Sequence, residues 1–390
     1  MNITIIGGGP AGLYFAILAK KHYPSWEIDI FERNGPNDTF GWGVVFSDRT
    51  LQYLEEYDKP SHDEIKKTFE TWENVDVIHN NERITIGGNK FSGISRLKML
   101  NILQARCEEL GVKIHYKTEV ASLGECASAN LILVADGVNS LIRRTHPEYF
   151  QPDLSSRSNK YIWFGTHQIF DALTLTLRQN AHGIFASHSY KFDPTTSTFV
   201  VECDPDTWQR AGFENMNDEQ TRAYLEDVFN SDLGGNPLLS NRSVWINFLL
   251  VKNRKWVHDN IIIMGDAAHT AHFSIGSGTK LALEDSIALF NAMKSELLPE
   301  VFSREQIKNV LHVYESLRKP KVEEYQQFAY DSLVLFENLK DVMPLSPIEM
   351  AYRMMTRSKK LTHEKLRQRD PDFVARYENF NKIINLPASL

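Results

Sequence analysis

The first twelve residues constrain the fold more than any other stretch. "NITII" (residues 2–6) is a short, uninterrupted run rich in β-branched side chains, the pattern of a strand buried in a parallel sheet. It passes directly into "GGGPAG", which puts Gly7, Gly9 and Gly12 in the G-x-G-x-x-G places, with Pro10 and Ala11 between the last two. Gly7 permits a tight turn, Gly9 lets bare backbone approach a pyrophosphate, and Gly12 allows a helix to pack closely on the strand. The following "PAGLYFAILAKKHY" carries apolar residues at helical spacing, and its N-terminus offers unpaired N–H groups to the phosphates. "EIDIFER" is the next strand. Glu32 at its end lies about 20 residues past the last glycine, where a ribose hydroxyl needs an acceptor. Together these define a β-α-β dinucleotide-binding unit.

At 390 residues the chain is too long for one core, so two or three structural units are expected. "SRLKMLNILQARCEELG" reads as an amphipathic helix with Gly111 past its end, and "VKIHY" and "NLILVADG" read as strands. Near Asn159 the pattern changes. "KYIWFGTHQIF", "HGIFASHSY", "STFVVEC" and "VWINFLLV" are aromatic-rich and separated by turn residues, which suggests an antiparallel sheet. A helix, "DEQTRAYLEDVF", precedes the last of them. "NIIIMGD" returns to the buried parallel-strand pattern, and beyond Gly276 the chain is almost wholly helical. The expected division is a discontinuous dinucleotide-binding domain (1–75, 92–155 and 256–300), a substrate domain (76–91 and 156–255) and a helical C-terminal region (301–390).

Net charge is −7, from 50 acidic against 43 basic residues, which argues against nucleic acid as a partner. Cys107, Cys126 and Cys203 are odd in number and widely spaced, so reduced thiols in a cytoplasmic protein are expected rather than a disulfide framework. No metal is expected, because no HxH, HxxxH or CxxC spacing occurs. The N-terminus has no basic segment ahead of its apolar run, and that run is too short to span a bilayer; neither a signal peptide nor membrane association is expected.

Two further motifs sit at strand ends. "VADGVNSLIRR" places Asp136 and Gly137 after a buried strand. "MGDAAHTAHFSIGSGTKLALEDS" runs from a strand through Asp266, His269 and His272 to Gly276, Ser277, Gly278 and Thr279 at a helix start. A helix N-terminus stabilises negative charge, such as that on the N1–C2=O edge of a reduced flavin. The three motifs, in this order and spacing, resemble the group A flavoprotein aromatic hydroxylases. The resemblance covers roughly the whole chain. It implies a Rossmann-like FAD-binding domain of the GR2 type, the fold of p-hydroxybenzoate hydroxylase (PHBH-like), with an inserted antiparallel sheet. It assigns Gly7, Gly9, Pro10, Ala11, Gly12, Glu32 and Arg33 to the ADP half of FAD, and Arg96 to its ribose. Asp136 and Gly137 fall near the pyrophosphate, Asp266 at the ribityl chain, and Val45, Gly276, Ser277, Gly278 and Thr279 at the isoalloxazine. The chain departs from the family in one place: Phe273 stands where a proline is usual.

"FERNGPNDTFGWGVVFSD", "NKYIWFGT", "FASHSY" and "GDAAHTAHFSIGSGTK" are closer still to the salicylyl-CoA 5-hydroxylases and the monooxygenase part of anthraniloyl-CoA monooxygenases. They are also similar to the violacein-pathway hydroxylases. A single-component FAD monooxygenase is therefore expected, acting through a flavin C4a-hydroperoxide on an aromatic acyl-CoA, with molecular oxygen as co-substrate. Only one glycine fingerprint is visible, so NADH or NADPH is expected as a transient reductant. A free aromatic or indole-type substrate is the alternative, and a non-catalytic FAD-binding scaffold a second. A monomer or homodimer is expected. Oxygen transfer needs a dry site and a group that makes the ring electron-rich. Trp42, in "GWG", offers a flat wall. Alternation in "HGIFASHSY" puts Ala186, His188 and Tyr190 on one strand face, where His188 and Tyr190 face either the sheet core or a substrate. His272 and Phe273 lie in the loop ahead of the flavin-facing glycines; His269, close to Asp266, reads as structural. The basic "RSKKLTHEKLRQR" fits a solvated helix face or CoA phosphates.

Overall fold

The computed structural model describes residues 1–296 and 303–384. The ends of two expected segments, 297–302 and 385–390, lie outside the described residues.

The strand Asn2–Ile6 occupies the interior of a six-stranded sheet, parallel to Glu27–Glu32 on one side and to Leu131–Val134 on the other. Lys113–Tyr116 extends the first flank and Ile261–Ile263 the second, both in parallel, and Val257–His258 closes the edge antiparallel. Helix Pro10–His22 packs between Gly278–Glu296 and Arg96–Glu109. The sheet is therefore assembled from three separated stretches of sequence, and Asp136 and Asp266 emerge just beyond the C-terminal ends of neighbouring strands. Ligands of open parallel sheets bind at this rim.

An eight-stranded sheet forms the second layer. Its long strands are Pro152–Thr166, Thr196–Cys203, Gly183–Asp193 and Leu173–Asn180, joined antiparallel in that spatial order. The hairpin Val75–His79 and Glu82–Ile86 adds to its edge through a parallel pairing with Leu173–Asn180. Ile162, Phe164, Phe185, Phe199 and Val201 point to one face and pack with Phe213, Leu225 and Phe229. The alternation assigns Tyr161, Trp163, His188, Tyr190, Val200 and Glu202 to the other face. That face looks toward the parallel-sheet domain.

The C-terminal helices cover the sheet's far end. Phe336 of Arg304–Glu337, Met350 and Met354 of Pro347–Thr356, and Phe373 and Val374 of Pro371–Ile384 form a core with Val75, Val77, Ile84, Ile86, Leu175 and Leu177. Among the described residues no helix is long and apolar enough to cross a membrane.

A small third sheet, Gly43–Ser47, Phe91–Ser95 and Glu70–Trp72, was not expected, nor was the strand Leu173–Asn180. The first is built from short segments far apart in sequence, so no local period marks it. It fastens "GWGVVFS" between the two larger layers: Gly43 N–H donates to Thr198 Oγ1 at 2.9 Å, and Tyr190 Oη donates to the Gly43 carbonyl at 2.9 Å.

Candidate active site

Gly7 has φ +109°, and a Cβ there would stand 2.2 Å from the Ala135 carbonyl oxygen, so only glycine fits. A Cβ at Gly12 would meet the Gly7 carbonyl at 2.4 Å. Gly9 differs: it N-caps the helix that Pro10 and Ala11 begin, and a Cβ there would meet nothing within 4 Å. Glu32 is fixed beside this turn. One carboxylate oxygen accepts the Gly8 N–H at 2.7 Å, and the other accepts Asn34 N–H at 2.8 Å and Nδ2 at 2.7 Å. Arg33 points away to the surface, 3.9 Å from Glu119.

Asp136 accepts Leu141 N–H through one oxygen at 2.8 Å, while its other oxygen is buried without a partner. Burial pushes this carboxyl above its ordinary pKa. Gly137, at φ +83°, leaves open space where a side chain would be. Arg143, in the same motif, crosses to the third: it donates to the Ala267 carbonyl at 2.8 Å.

Asp266 keeps accessible surface although protein surrounds it, so it lines a deep recess rather than an outer face. Loss of water raises its pKa against the pull of Arg96 and His269. Arg96 opens its helix, but its guanidinium is desolvated and its Nε has no partner, which is not the environment of a solvated first-turn residue. His269 turns the other way. It bonds Asp285 at 2.7 Å, and Asp285 also holds Arg318 at 2.7 Å in a buried clamp behind the recess. Gly276 adopts φ +60° with Val45 beside it, Ser277 Oγ is buried and unpaired, and Gly278 and Thr279 start the helix with open space at Gly278.

FAD fits these residues. Gly9, Gly137 and Gly278 leave clear backbone surface, and Arg96 Nε, Asp136 Oδ1 and Ser277 Oγ are buried polar atoms lacking partners. Native interiors rarely leave such atoms unsatisfied without a function. Glu32, Asp266 and the glycine turn would hold the cofactor.

The inner sheet face meets this rim at Phe273. Its ring lies 4.7 Å from Tyr161, 5.4 Å from His188 and 4.1 Å from His272. Phe336, from the C-terminal region, adds a wall 4.8 Å from His188. Trp42 packs flat against Gly165 and so borders the same face. Tyr190 is stacked on Trp72, with its hydroxyl committed to Gly43, and therefore anchors the "GWG" segment.

Five contributors carried no role in the sequence: Tyr161, Glu202, Ser332, Phe336 and Arg357. Tyr161 is pushed up to about 12 by burial, with the Asp266 charge adding. Glu202 bonds His188 at 2.8 Å, and a carboxylate inside a strand buried along its whole length is itself a signal. Arg357 and Ser332 reach the Phe273 loop from the C-terminal helices, a proximity no local pattern announces. A separate groove of about 510 Å³, lined by His146, Tyr149, His258 and Arg304, touches none of these residues. Among the described residues no group of His, Cys, Asp or Glu side chains could hold a metal ion.

A parallel sheet with a glycine-lined dinucleotide cradle, roofed by an antiparallel sheet, defines a dinucleotide-binding protein with a second sheet over its cofactor rim. The chain belongs to the FAD binding domain family, whose model matches residues 1–329, and it is a FAD-dependent aromatic monooxygenase. It is 39% identical to salicyloyl-CoA 5-hydroxylase of a Streptomyces species, over 97% of this chain and 74% of that one. It is 33% identical to protodeoxyviolaceinate monooxygenase of Chromobacterium violaceum, over 93% of this chain and 95% of that one. Among solved structures it superposes on Pseudomonas aeruginosa PqsL with a TM-score of 0.70 at 16% identity, covering 88% of this chain and 98% of PqsL.

Proposed function

We propose that the protein hydroxylates an activated aromatic ring carried as a CoA thioester, such as salicyloyl-CoA, using NADH or NADPH as transient reductant and molecular oxygen. The observation that carries this reading is the meeting of His188, Tyr161 and Phe273 three residues ahead of Gly276. Reduced flavin, when bound, supplies the chemistry of oxygen activation. The chain's own residues hold the ring and keep water away. Phe273, Phe336, Tyr161 and Trp42 wall the space, which favours oxygen transfer over wasteful release of peroxide. The helix start at Gly278 favours negative charge on whatever it faces. The CoA thioester is supported by the 39% identical relative. Lys360, exposed over the Tyr325 ring at 4.4 Å, offers a cation for its phosphates, while Lys280 at 4.2 Å from the same ring is buried and paired with Glu284. Cys107, Cys126 and Cys203 are free buried thiols, which suits the cytoplasm.

The test is direct. Purified protein loaded with FAD should oxidise NADH several-fold faster with salicyloyl-CoA than without, and mass spectrometry should find a product heavier by one oxygen. Failure to bind FAD, or NADH oxidation that no aromatic compound accelerates, would overturn the reading. A free aromatic or indole-type substrate is the second reading, favoured by the likeness to protodeoxyviolaceinate monooxygenase. Comparing free acids and indoles with CoA thioesters in the same assay decides between them.

A further inference from the structure

The two histidines beside Phe273 differ in what they can do with a proton. His188 Nε2 lies 2.8 Å from Glu202 Oε1, and both side chains are buried. A carboxylate accepts, so Nε2 carries the hydrogen, and in the neutral ring Nδ1 presents its lone pair.

His272 is set the opposite way. The Ser274 backbone N–H donates to its Nδ1 at 3.3 Å, and Ser274 Oγ lies 2.8 Å from the same nitrogen. Behind it, Arg357 Nε donates to Ser332 Oγ at 2.9 Å, and Ser332 Oγ stands 2.8 Å from Ser274 Oγ. Because Nδ1 accepts the Ser274 N–H it carries no hydrogen, so Ser274 Oγ donates to it and is left to accept from Ser332 Oγ, which in turn accepts from Arg357. His272 Nε2 then carries the ring hydrogen and acts as a donor. Burial, with His188, Arg357 and Arg157 nearby, holds this imidazole neutral. Among the described residues, neither His188 Nδ1 nor His272 Nε2 has a hydrogen-bond partner, and neither is sealed from solvent. Both rings pack against Phe273, at 5.4 and 4.1 Å between centroids.

We propose that His188 and His272 form an acceptor–donor pair that selects an aromatic ring bearing a hydroxyl or amino group next to a carbonyl. The ring hydroxyl gives its hydrogen to His188 Nδ1, and the carbonyl oxygen accepts from His272 Nε2. Glu202 is a positioning residue that fixes the His188 tautomer. The inference rests on the hydroxylase reading and names the substrate class of that site. When the hydroxyl ionises, its O–H bond breaks, an Nδ1–H bond forms, and the electron pair stays on oxygen, where it enriches the ring. Glu202 balances the imidazolium, and the proton returns to the oxygen afterwards. The other charged or titratable groups around the pair are Arg357, Tyr161 and Arg157, the last bound to Glu337 at 2.5 Å.

Binding to the oxidised, FAD-loaded enzyme tests this without turnover, through the perturbation of flavin absorbance. Salicyloyl-CoA should bind at least about tenfold tighter than 4-hydroxybenzoyl-CoA or benzoyl-CoA, because each lacks one half of the match. Glu202→Gln and His188→Asn should compress that preference to within about threefold while FAD content stays at the wild-type level. Bound salicyloyl-CoA should develop its phenolate absorbance at lower pH than free salicyloyl-CoA, and Glu202→Gln should move that transition back up. Equal binding of the three thioesters by the wild-type enzyme overturns the inference, and so does a preference that Glu202→Gln leaves intact. In either case thioester-stimulated NADH oxidation would keep the hydroxylase reading standing. An enzyme that no thioester, free aromatic or indole perturbs or stimulates overturns both.

Discussion

Arg143 donates through Nη1 to the Ala267 carbonyl at 2.8 Å and through Nη2 to the Val138 carbonyl at 2.5 Å, so one buried guanidinium joins the Asp136 and Asp266 segments. The segments lie on neighbouring strands, and both must be in place to frame one cofactor. Arg143→Met keeps the side chain's bulk and removes the donors, leaving the Val138 carbonyl without this partner and the Ala267 carbonyl with Asn253 Nδ2 at 3.3 Å. The expected loss is roughly 2–4 kcal/mol of stability, read by urea denaturation, with weaker FAD retention. Arg143→Lys should not restore it, because a single ammonium cannot span the two carbonyls as the fork does. A lysine variant as stable as wild type would show that the fork is not what holds the segments.

The glycines separate folding from binding. Gly12→Ala forces a methyl to within 2.4 Å of the Gly7 carbonyl oxygen and 2.9 Å of Ile5, so the apo-protein itself should lose roughly 1–3 kcal/mol. Gly9→Ala meets nothing within 4 Å. Its apo-protein should match wild type to within about 0.5 kcal/mol, yet bind FAD at least about tenfold more weakly, since the methyl occupies pyrophosphate space. Paired melts of the apo-proteins and FAD titrations check both. Gly9→Ala binding FAD normally would remove the cofactor from that turn.

How much of this was legible in the sequence follows from range. The parallel strands announce themselves because both faces are buried, and "NITII" and "NIIIMGD" have no other soluble use. Asp136, Asp266 and Gly276 stood out because carboxylates and glycines at strand ends are costly unless used. The His188 face was readable from alternation alone. Its partners were not. Glu202 is 14 residues away across a strand pair, while Ser332 and Arg357 arrive from helices whose own patterns report only their packing. The Leu173–Asn180 strand hides for another reason: Thr174 and Thr176 are buried opposite Leu175 and Leu177, so its composition looks half solvated where residues 174–177 are enclosed on both faces.

Asp285 carries the clamp behind the recess. Burial alone would raise its pKa, but the charges and hydrogen bonds of His269 and Arg318 bring it below the ordinary value. A depressed carboxyl contributes stability above its unfolded pKa and loses it as pH falls through the folded one. Asp285→Ala takes the shared carboxylate from His269 and Arg318, and Arg318 keeps Glu284 at 3.1 Å, so a loss of about 3 kcal/mol is expected at neutral pH. The gap should narrow on acidification, measured as denaturation midpoints from pH 7 downward. A gap independent of pH would mean the carboxylate's charge is not what stabilises the clamp.

Asp266 has the opposite sign, and the contrast separates scaffold from site. Its folded pKa lies above the ordinary 3.8 because burial outweighs Arg96 and His269. The native state therefore holds its proton more tightly than the unfolded chain, and its ionisation costs stability as pH rises from 3.8 through the folded pKa. Asp266→Asn removes that cost. The apo-variant should melt higher than apo wild type at pH 7, with the difference fading below the unfolded pKa. FAD affinity should move the other way, by about tenfold, because an amide accepts hydroxyl hydrogens more weakly than a carboxylate. Calorimetric melts across pH, with and without FAD, measure both effects. An apo-variant less stable at pH 7 would place Asp266 with Asp285 among the groups that hold the fold, and take it out of the cofactor's grip.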